Sequence, residues 1–328
     1  MEWIGLDIGG ANLKLADPSR KKTKIKPFEL WRHPNDLAEN LRSLAEGFPA
    51  TNIAVTMTGE LCDCFSSKES GVRHIVVSTR RAFPNAEIVF WTNHRTWADE
   101  NKAIELPSLL AASNWLATAA LASSLFASGK VCLIDMGSTT TDIVLIEHGK
   151  LLNKGFNDTS RLILGELVYT GFRRTPLACL LGKKVCSELF ATIHDARIWL
   201  GMIPESPDQK GVDGKGMTKE LSRTRLARMM GADNSSISDG ALSLLAHNAV
   251  NIQGQWIVEG LSSVLAKNPG WPETWVLAGE GAECLKDWLT EWNMPGSIIS
   301  FDELAYEESS RDAAAVSVAI LANRAFSA

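Results

Sequence analysis

The 328 residues carry 33 Lys and Arg against 38 Asp and Glu, a net charge of −5, with 45% hydrophobic and 22% charged side chains. That is enough chain for two or three domains with real cores. It excludes a global basic field of the kind that holds nucleic acid, and the Arg20-Lys21-Lys22 run reads as a solvated hairpin. Six cysteines, at 62, 64, 132, 179, 186 and 284, are scattered, which fits reduced thiols in a cytoplasmic setting better than a disulfide scaffold. Cys62-x-Cys64 has no second Cys or His pair at zinc-like spacing.

Strands are expected at 3–8 and 11–16, joined by Gly9-Gly10 and followed by a third strand near 25–32. The chain enters that first strand at once, so no targeting segment is expected ahead of it. A helix over 35–47, a strand at 52–57 (NIAVTM), a helix over 68–82 and a strand at 87–91 (EIVFW) come next. Residues 106–128 hold no charge and are long enough to span a bilayer, yet they carry five serines, one asparagine and one threonine. A buried helix over 108–127 is the better reading, with no membrane association. After Ser128-Gly129-Lys130 the pattern restarts, with strands at 131–136, 142–147 and 150–153. Helices are expected over 186–200, 218–230 and 237–267, then a strand at 274–278 (TWVLA), a helix over 282–292, a short strand at 297–300 and a last helix over 311–326. Strands alternating with helices in both halves indicate α/β layers, and each half opens with the same unit, a duplication of architecture.

That unit carries the candidate chemistry. In GLDIGGANLKLA, Asp7 ends a strand and Gly9, Gly10, Asn12 and Lys14 follow; in LIDMGSTTTDIVLI, Asp135 is followed by Gly137, Ser138, Thr139, Thr140 and Asp142. Glycine permits positive φ and a close approach to a ligand, and exposed turn amides cradle anions. Aspartate at a strand end offers hard oxygen to Mg²⁺, so Asp7, Asp135 and Asp142 are the metal candidates. A third strand-to-helix turn, VLAGEGAECL, adds Gly279 and Gly281 to the phosphate-binding candidates.

These three elements resemble the phosphate-1, phosphate-2 and adenosine motifs of the acetate kinase/sugar kinase/Hsp70/actin superfamily. The resemblance implies two ribonuclease-H-like (actin-like ATPase) domains with an interdomain cleft: 1–128, then 129–310 with a helical insertion, then 311–328 as a helix returning to the first domain. More narrowly, TMTGELCDCF, SKESGVRHI, AASNW, GSTTTDI and GELVYTGFRRTPL resemble a hydantoinase/oxoprolinase-related subfamily labelled tetrahydromethanopterin-linked C1-transfer pathway proteins. Its archaeal members join a furanmethanol diphosphate to glutamyl-tyramine through an ether bond and release pyrophosphate. The resemblance therefore implies an alkyl transferase of methanofuran-type biosynthesis, with diphosphate and phenol substrates and a magnesium-filled cradle.

On that reading Asp7, Lys14 and Asp135 serve catalysis. Thr58, Gly59 and Glu60 follow a strand end and should face the same cleft, with Glu60 either a base or a surface carboxylate. Arg173 and Arg174, beside Thr175, are candidates for a phosphate or carboxylate; adjacent arginines point apart, so only one should reach substrate. His194 and His247 read as packing or surface residues. The third motif has only Gly279-Glu280-Gly281 before Ala, Glu and Cys, which leaves ATP binding open. The competing readings are an ATP-dependent sugar-kinase-like or hydantoinase-like enzyme and a non-catalytic nucleotide-binding protein of actin/Hsp70 type. A homodimer is compatible with all three.

Overall fold

The structure is a computed structural model that describes residues 2–326. Its first half begins with the hairpin β1 (Ile4–Ile8) and β2 (Asn12–Asp17), then β3 (Lys22–Pro27), α1 (Leu37–Leu44), β4 (Asn52–Met57), α2 (Lys68–Ala82), β5 (Glu87–Trp91), β6 (Trp97–Ala98), α3 (Glu100–Glu105) and α4 (Asn114–Leu125). The second half opens with β7 (Lys130–Met136) and β8 (Thr141–Glu147), followed by β9 (Lys150–Leu151), α5 (Asp158–Leu164), β10 (Leu167–Val168), α6 (Leu177–Leu181), α7 (Ile193–Trp199) and the small hairpin β11 (Ser206–Lys210) and β12 (Gly216–Met217). Then come α8 (Lys219–Met229), α9 (Asp239–Ala266), β13 (Thr274–Ala278), α10 (Ala282–Glu291), β14 (Ser297–Ser300), α11 (Phe301–Leu304) and α12 (Ala313–Phe326).

The two large sheets share one plan. The first runs β3-β2-β1-β4-β5-β6, the second β10-β8-β7-β13-β14 with β9 also paired to β8. In each, an antiparallel hairpin leads into parallel strands: β1 beside β4 and β4 beside β5, β7 beside β13 and β13 beside β14. The register is shared too, since Asp7 lies opposite Lys14 and Asp135 opposite Asp142. All of β1 is buried, as strands covered on both faces must be, and its composition is correspondingly apolar.

The helices obey ordinary amphipathic logic. α1 buries Leu37, Ala38, Leu41 and Leu44, spacings that fall on one helical face. α2 starts on a reciprocal Ser67–Ser70 capping box. α4 and α12 pack on each other, and α12 also covers β1, β2 and β4. Gly5 is required there: a Cβ would stand 1.9 Å from the Ala315 carbonyl oxygen. The same two helices join a core with Val131, Leu133, Val144 and Val276 of the second sheet, so they sit between the halves. Asn323 on α12 clips onto the first strand's approach, taking the Trp3 amide at 3.0 Å and donating to the Trp3 carbonyl at 3.1 Å.

Several expected bounds move. The third strand ends at Pro27 because the chain then turns back onto the first glycine turn, with Phe28 N–H to Ala11 O at 3.0 Å and Leu30 N–H to Gly10 O at 2.9 Å. The helix expected from 108 starts at Asn114, since Pro107 opens a 3₁₀ turn and Ala112 takes φ +50°. The helix expected over 186–200 shrinks to α7, capped by Thr192 and Asp195. Residues 327–328 of the expected terminal segment lie outside the described residues. Among the described residues no helix is long and apolar enough to cross a membrane.

Candidate active site in the cleft

The two hairpin turns are built alike. Gly9 N–H donates to Asn12 O at 3.1 Å and Gly137 N–H to Thr140 O at 2.9 Å. Neither Gly9, Gly10 nor Gly137 takes a positive φ, which corrects the conformational reason given for them above. Glycine at 10 is instead a matter of space, because a Cβ would lie 2.8 Å from the Cys62 sulfur. The second turn is braced from behind. Phe172 N–H donates to Gly137 O, and Arg173 and Arg174 N–H both donate to Ser138 O, at 2.9, 3.1 and 2.9 Å. Gly171 packs so closely on Thr139 that a Cβ would meet its backbone at 2.5 Å.

The structure brings Asp7, Lys14 and Asp135 together. Lys14 Nζ donates to the Arg311 carbonyl at 2.8 Å and stands 3.9 Å from Asp7 Oδ2. Burial pushes Asp7 up to about 6, with Lys14 opposing and Asp312 adding to the rise. Burial likewise lifts Asp135 to about 7, reinforced by Asp142 and Asp7 and opposed by Lys14, so the two hairpins share one electrostatic compartment. Burial alone would lower the Lys14 ammonium, but Asp7, Asp312, Asp135 and Glu280 outweigh it and hold it above its ordinary value. Asn12, Lys14, Gly137, Ser138 and Arg173 line one cleft of about 670 Å³, together with Gln209, Glu280, Asp302, Glu308, Arg311 and Asp312.

Other expected site residues are engaged elsewhere. Asp142 accepts from Arg161 Nη2 at 2.6 Å, and Arg161 is 1% exposed with its guanidinium 3.8 Å from the Trp115 ring centre. The Thr175 hydroxyl is spent on the Gly171 amide and the Thr170 hydroxyl, which shapes the loop under the arginines. Gly279 takes φ +84° and Gly281 packs on Met136, while their amides go to the Ser310 and Met136 carbonyls. The sequence reading gave these two glycines to phosphate; the structure gives their N–H groups to protein. Thr58 and Gly59 pack beneath the first turn, with Thr58 N–H donating to Ile8 O at 3.1 Å. Glu60 is no surface carboxylate. It is 2% exposed, accepts from Ala112 N–H at 3.0 Å through Oε1, leaves Oε2 without a partner, and is lifted by burial to about 7.

The adjacent arginines do point apart. Arg174 lies over the Trp31 ring at 4.8 Å. Arg173 enters the cleft, where Nε and Nη2 both donate to Glu280 Oε1 and Nη1 donates to Gln209 Oε1. Arg173 Nη1 also lies 3.2 Å from His194 Nε2. A guanidinium only donates, so that nitrogen accepts and His194 is neutral; burial first, then the Arg173 charge, lowers it to about 4. Glu280, Gln209, Arg311 and Asp312 line the cleft without having been expected there, whereas His194, 5% exposed behind Arg173, is a packing histidine as expected. Glu280 stood inside the third glycine motif, and its position between two tight-turn glycines was the available signal.

Among the described residues no group of three or more His, Cys, Asp or Glu is placed to hold a metal ion by itself, so a Mg²⁺ here would share its ligands with a bound phosphate. Asp7 Oδ1 and Asp312 Oδ1 are buried without a partner, and Asp7, Asp135, Asp312 and Glu280 surround the Lys14 ammonium. Mg²⁺ is commonly held by one or two carboxylates plus substrate phosphates, so no all-protein cage is required. The cleft lining itself carries Glu280, Asp302, Glu308 and Asp312 against Lys14, Arg173 and Arg311. A bare polyanion entering it meets more negative than positive groups.

Two hairpins with register-matched aspartates, each heading a sheet of the same strand order, define an actin-like ATPase fold of two ribonuclease-H-like halves. The chain superposes on an acetone carboxylase in its nucleotide-free structure with a TM-score of 0.59 at 11% identity, over 97% of this chain and 70% of that one. A chain of the PilM–PilN type IV pilus biogenesis complex gives 0.54 at 11% identity, over 98% of both. The chain belongs to the hydantoinase/oxoprolinase family, which its residues 52–282 match. It is 33% identical over 302 residues, 89% of each chain, to the (4-{4-[2-(gamma-L-glutamylamino)ethyl]phenoxymethyl}furan-2-yl)methanamine synthase of Methanocaldococcus jannaschii. The synthase of the same name from Methanococcus vannielii is 34% identical over 200 residues, 58% of this chain and 89% of the relative.

Proposed function

We propose that the protein is a transferase of methanofuran-type cofactor biosynthesis that joins an aminomethyl-furanmethanol diphosphate to a tyramine- or tyrosine-type phenol and releases pyrophosphate. The supporting observation is the 33% identity to a furan-methanamine synthase across 89% of the chain. In this reaction the bond between the furylmethyl carbon and the diphosphate oxygen breaks, and its electron pair leaves with the diphosphate. The furan oxygen shares the positive charge left on carbon, the phenol oxygen forms the new bond, and the phenol proton must go to a base.

The residues divide that work. Lys14 and the turns at Gly9–Asn12 and Gly137–Thr140 hold and orient the diphosphate, with donors fixed before the charge develops. Bound Mg²⁺, held by Asp7 and Asp135, would neutralise charge on the departing diphosphate. One carboxylate outside the metal set stands near neutral pKa, where a general base is most effective: Glu60, beyond the first turn.

The test is a coupled assay of pyrophosphate release from a furfuryl diphosphate plus tyramine-type phenols. Asp7→Asn and Asp135→Asn should each lower the rate by roughly 10²-fold or more with the melting transition retained. Wild-type rates in either variant remove the cradle from the mechanism.

A further inference from the structure

Part of the cleft lining is held in an interaction that the proposed reaction does not use. Arg173 spends its three guanidinium nitrogens on protein. Two donate to Glu280 and the third to Gln209, with His194 Nε2 also within 3.2 Å. Arg311 adds a second cation to the same Glu280 oxygen at 3.6 Å. These side chains come from five separate segments: the loop after β10, α7, β11, the turn between β13 and α10, and the turn entering α12.

The bar is itself held in place. Glu280 sits between Gly279 and Gly281, whose amides are fixed to Ser310 and Met136. Gln209 rides on the β11–β12 hairpin, whose loop is pinned by buried Arg225 through Asp213 Oδ1 at 2.6 Å and the Gly216 carbonyl at 2.9 Å. Arg225 in turn meets Asp195 at 3.0 Å, on the same short helix as His194.

This bar lines the same cleft as Asn12 and Lys14 of the first hairpin and Gly137 and Ser138 of the second, so a diphosphate seated at the two turns would have it as a neighbour. Any large polar group carried past the bar must break the Arg173–Glu280 pair. The pair is partly shielded, 22% and 17% exposed, so separating it costs more than breaking an exposed surface pair and less than breaking a fully buried one. We propose that Glu280, acting through Arg173, Gln209 and Arg311, is a specificity residue that shuts nucleoside di- and triphosphates out of the cleft and reserves it for a diphosphate bearing no nucleoside. The inference rests on the diphosphate reading given above and adds the device that enforces it.

The experiment is titration calorimetry with Mg²⁺ present, using inorganic pyrophosphate and ATP as probes. Wild type should bind pyrophosphate and bind ATP at least about tenfold more weakly. Glu280→Ala should raise ATP affinity about tenfold relative to pyrophosphate, whereas Glu280→Gln, which keeps the bulk and removes the charge, should raise both together. Where Glu280→Ala lacks a cooperative melting transition, Gln209→Ala on the half-exposed hairpin is judged by the same ratio. Wild type binding ATP as tightly as pyrophosphate overturns the inference and leaves the diphosphate reading standing, as does an unchanged ratio in the opened variant. Wild type binding neither probe overturns both.

Discussion

Glu60 shows how burial alone sets a chemical property. The residue follows a strand end on a 3₁₀ turn, where its Oε1 meets one amide and its Oε2 meets nothing. Its folded pKa of about 7 lies above its ordinary 4.5. The proton is therefore bound more tightly in the folded state. The stabilisation is complete below the ordinary value and is lost as pH rises through the folded one. The loss between pH 4.5 and 7 should be roughly 2–3 kcal/mol. Asp7 and Asp135 act in the same direction, so wild type should weaken across this range and Glu60→Gln should weaken less. Urea denaturation at pH 5 and pH 8 measures both, and parallel losses in the two proteins would exclude the burial argument. The sequence could place Glu60 after a strand but not beneath Ala112, because that contact joins positions 52 apart.

At the scale of the element, Asp142 is instructive. Its place at a strand end beside the second turn made it a metal candidate, although it occupies in β8 the register position that Lys14 occupies in β2. The structure pairs it with Arg161 of α5, a short helix with no clear signal in the chain and no place in the expected order. Asp142→Ala should leave a buried guanidinium without its carboxylate and cost about 3 kcal/mol or more of stability. Chemical denaturation tests this, and a variant of normal stability that loses only Mg²⁺ dependence would restore the metal-ligand assignment. The legible elements were those with strong periodicity or a glycine turn: both hairpins, β4, β5, β13 and α9. Those not expected, β6, α3, α5, β10, α6, the β11–β12 hairpin and α11, are short and polar or lack alternation, and tertiary contacts hold them. The same hairpin supplies Gln209, so missing it hid part of the cleft. Asp312 was hidden for a different reason. The return of the last helix was expected, but not that the 3₁₀ turn ahead of it would set Asp312 beside Lys14.

At the scale of the molecule, the halves meet through the cleft and beside it. Lys14 of the first sheet touches the Arg311 carbonyl, Arg174 stacks over Trp31, and Lys68 approaches Asp158 at 3.7 Å. A ligand that bridges the two turns adds to these links and should stabilise the fold by mass action, by roughly 2.7 kcal/mol at 100 times its dissociation constant. Because acidic groups outnumber basic ones along the lining, Mg²⁺ with pyrophosphate should raise the melting temperature and pyrophosphate in a chelator should not. Equal shifts under both conditions would mean that the cleft handles the polyanion without divalent charge.

The clip between Asn323 and Trp3 carries a consequence for how the chain is made. The strand after Trp3 leaves the ribosome well before the helix that covers it, against a glycine with no room for any side chain, because Asn323 is synthesised 320 residues later. Until that helix emerges, one face of the first sheet stays open to water, so nascent chains stalled shortly before it should be the species that chaperones retain.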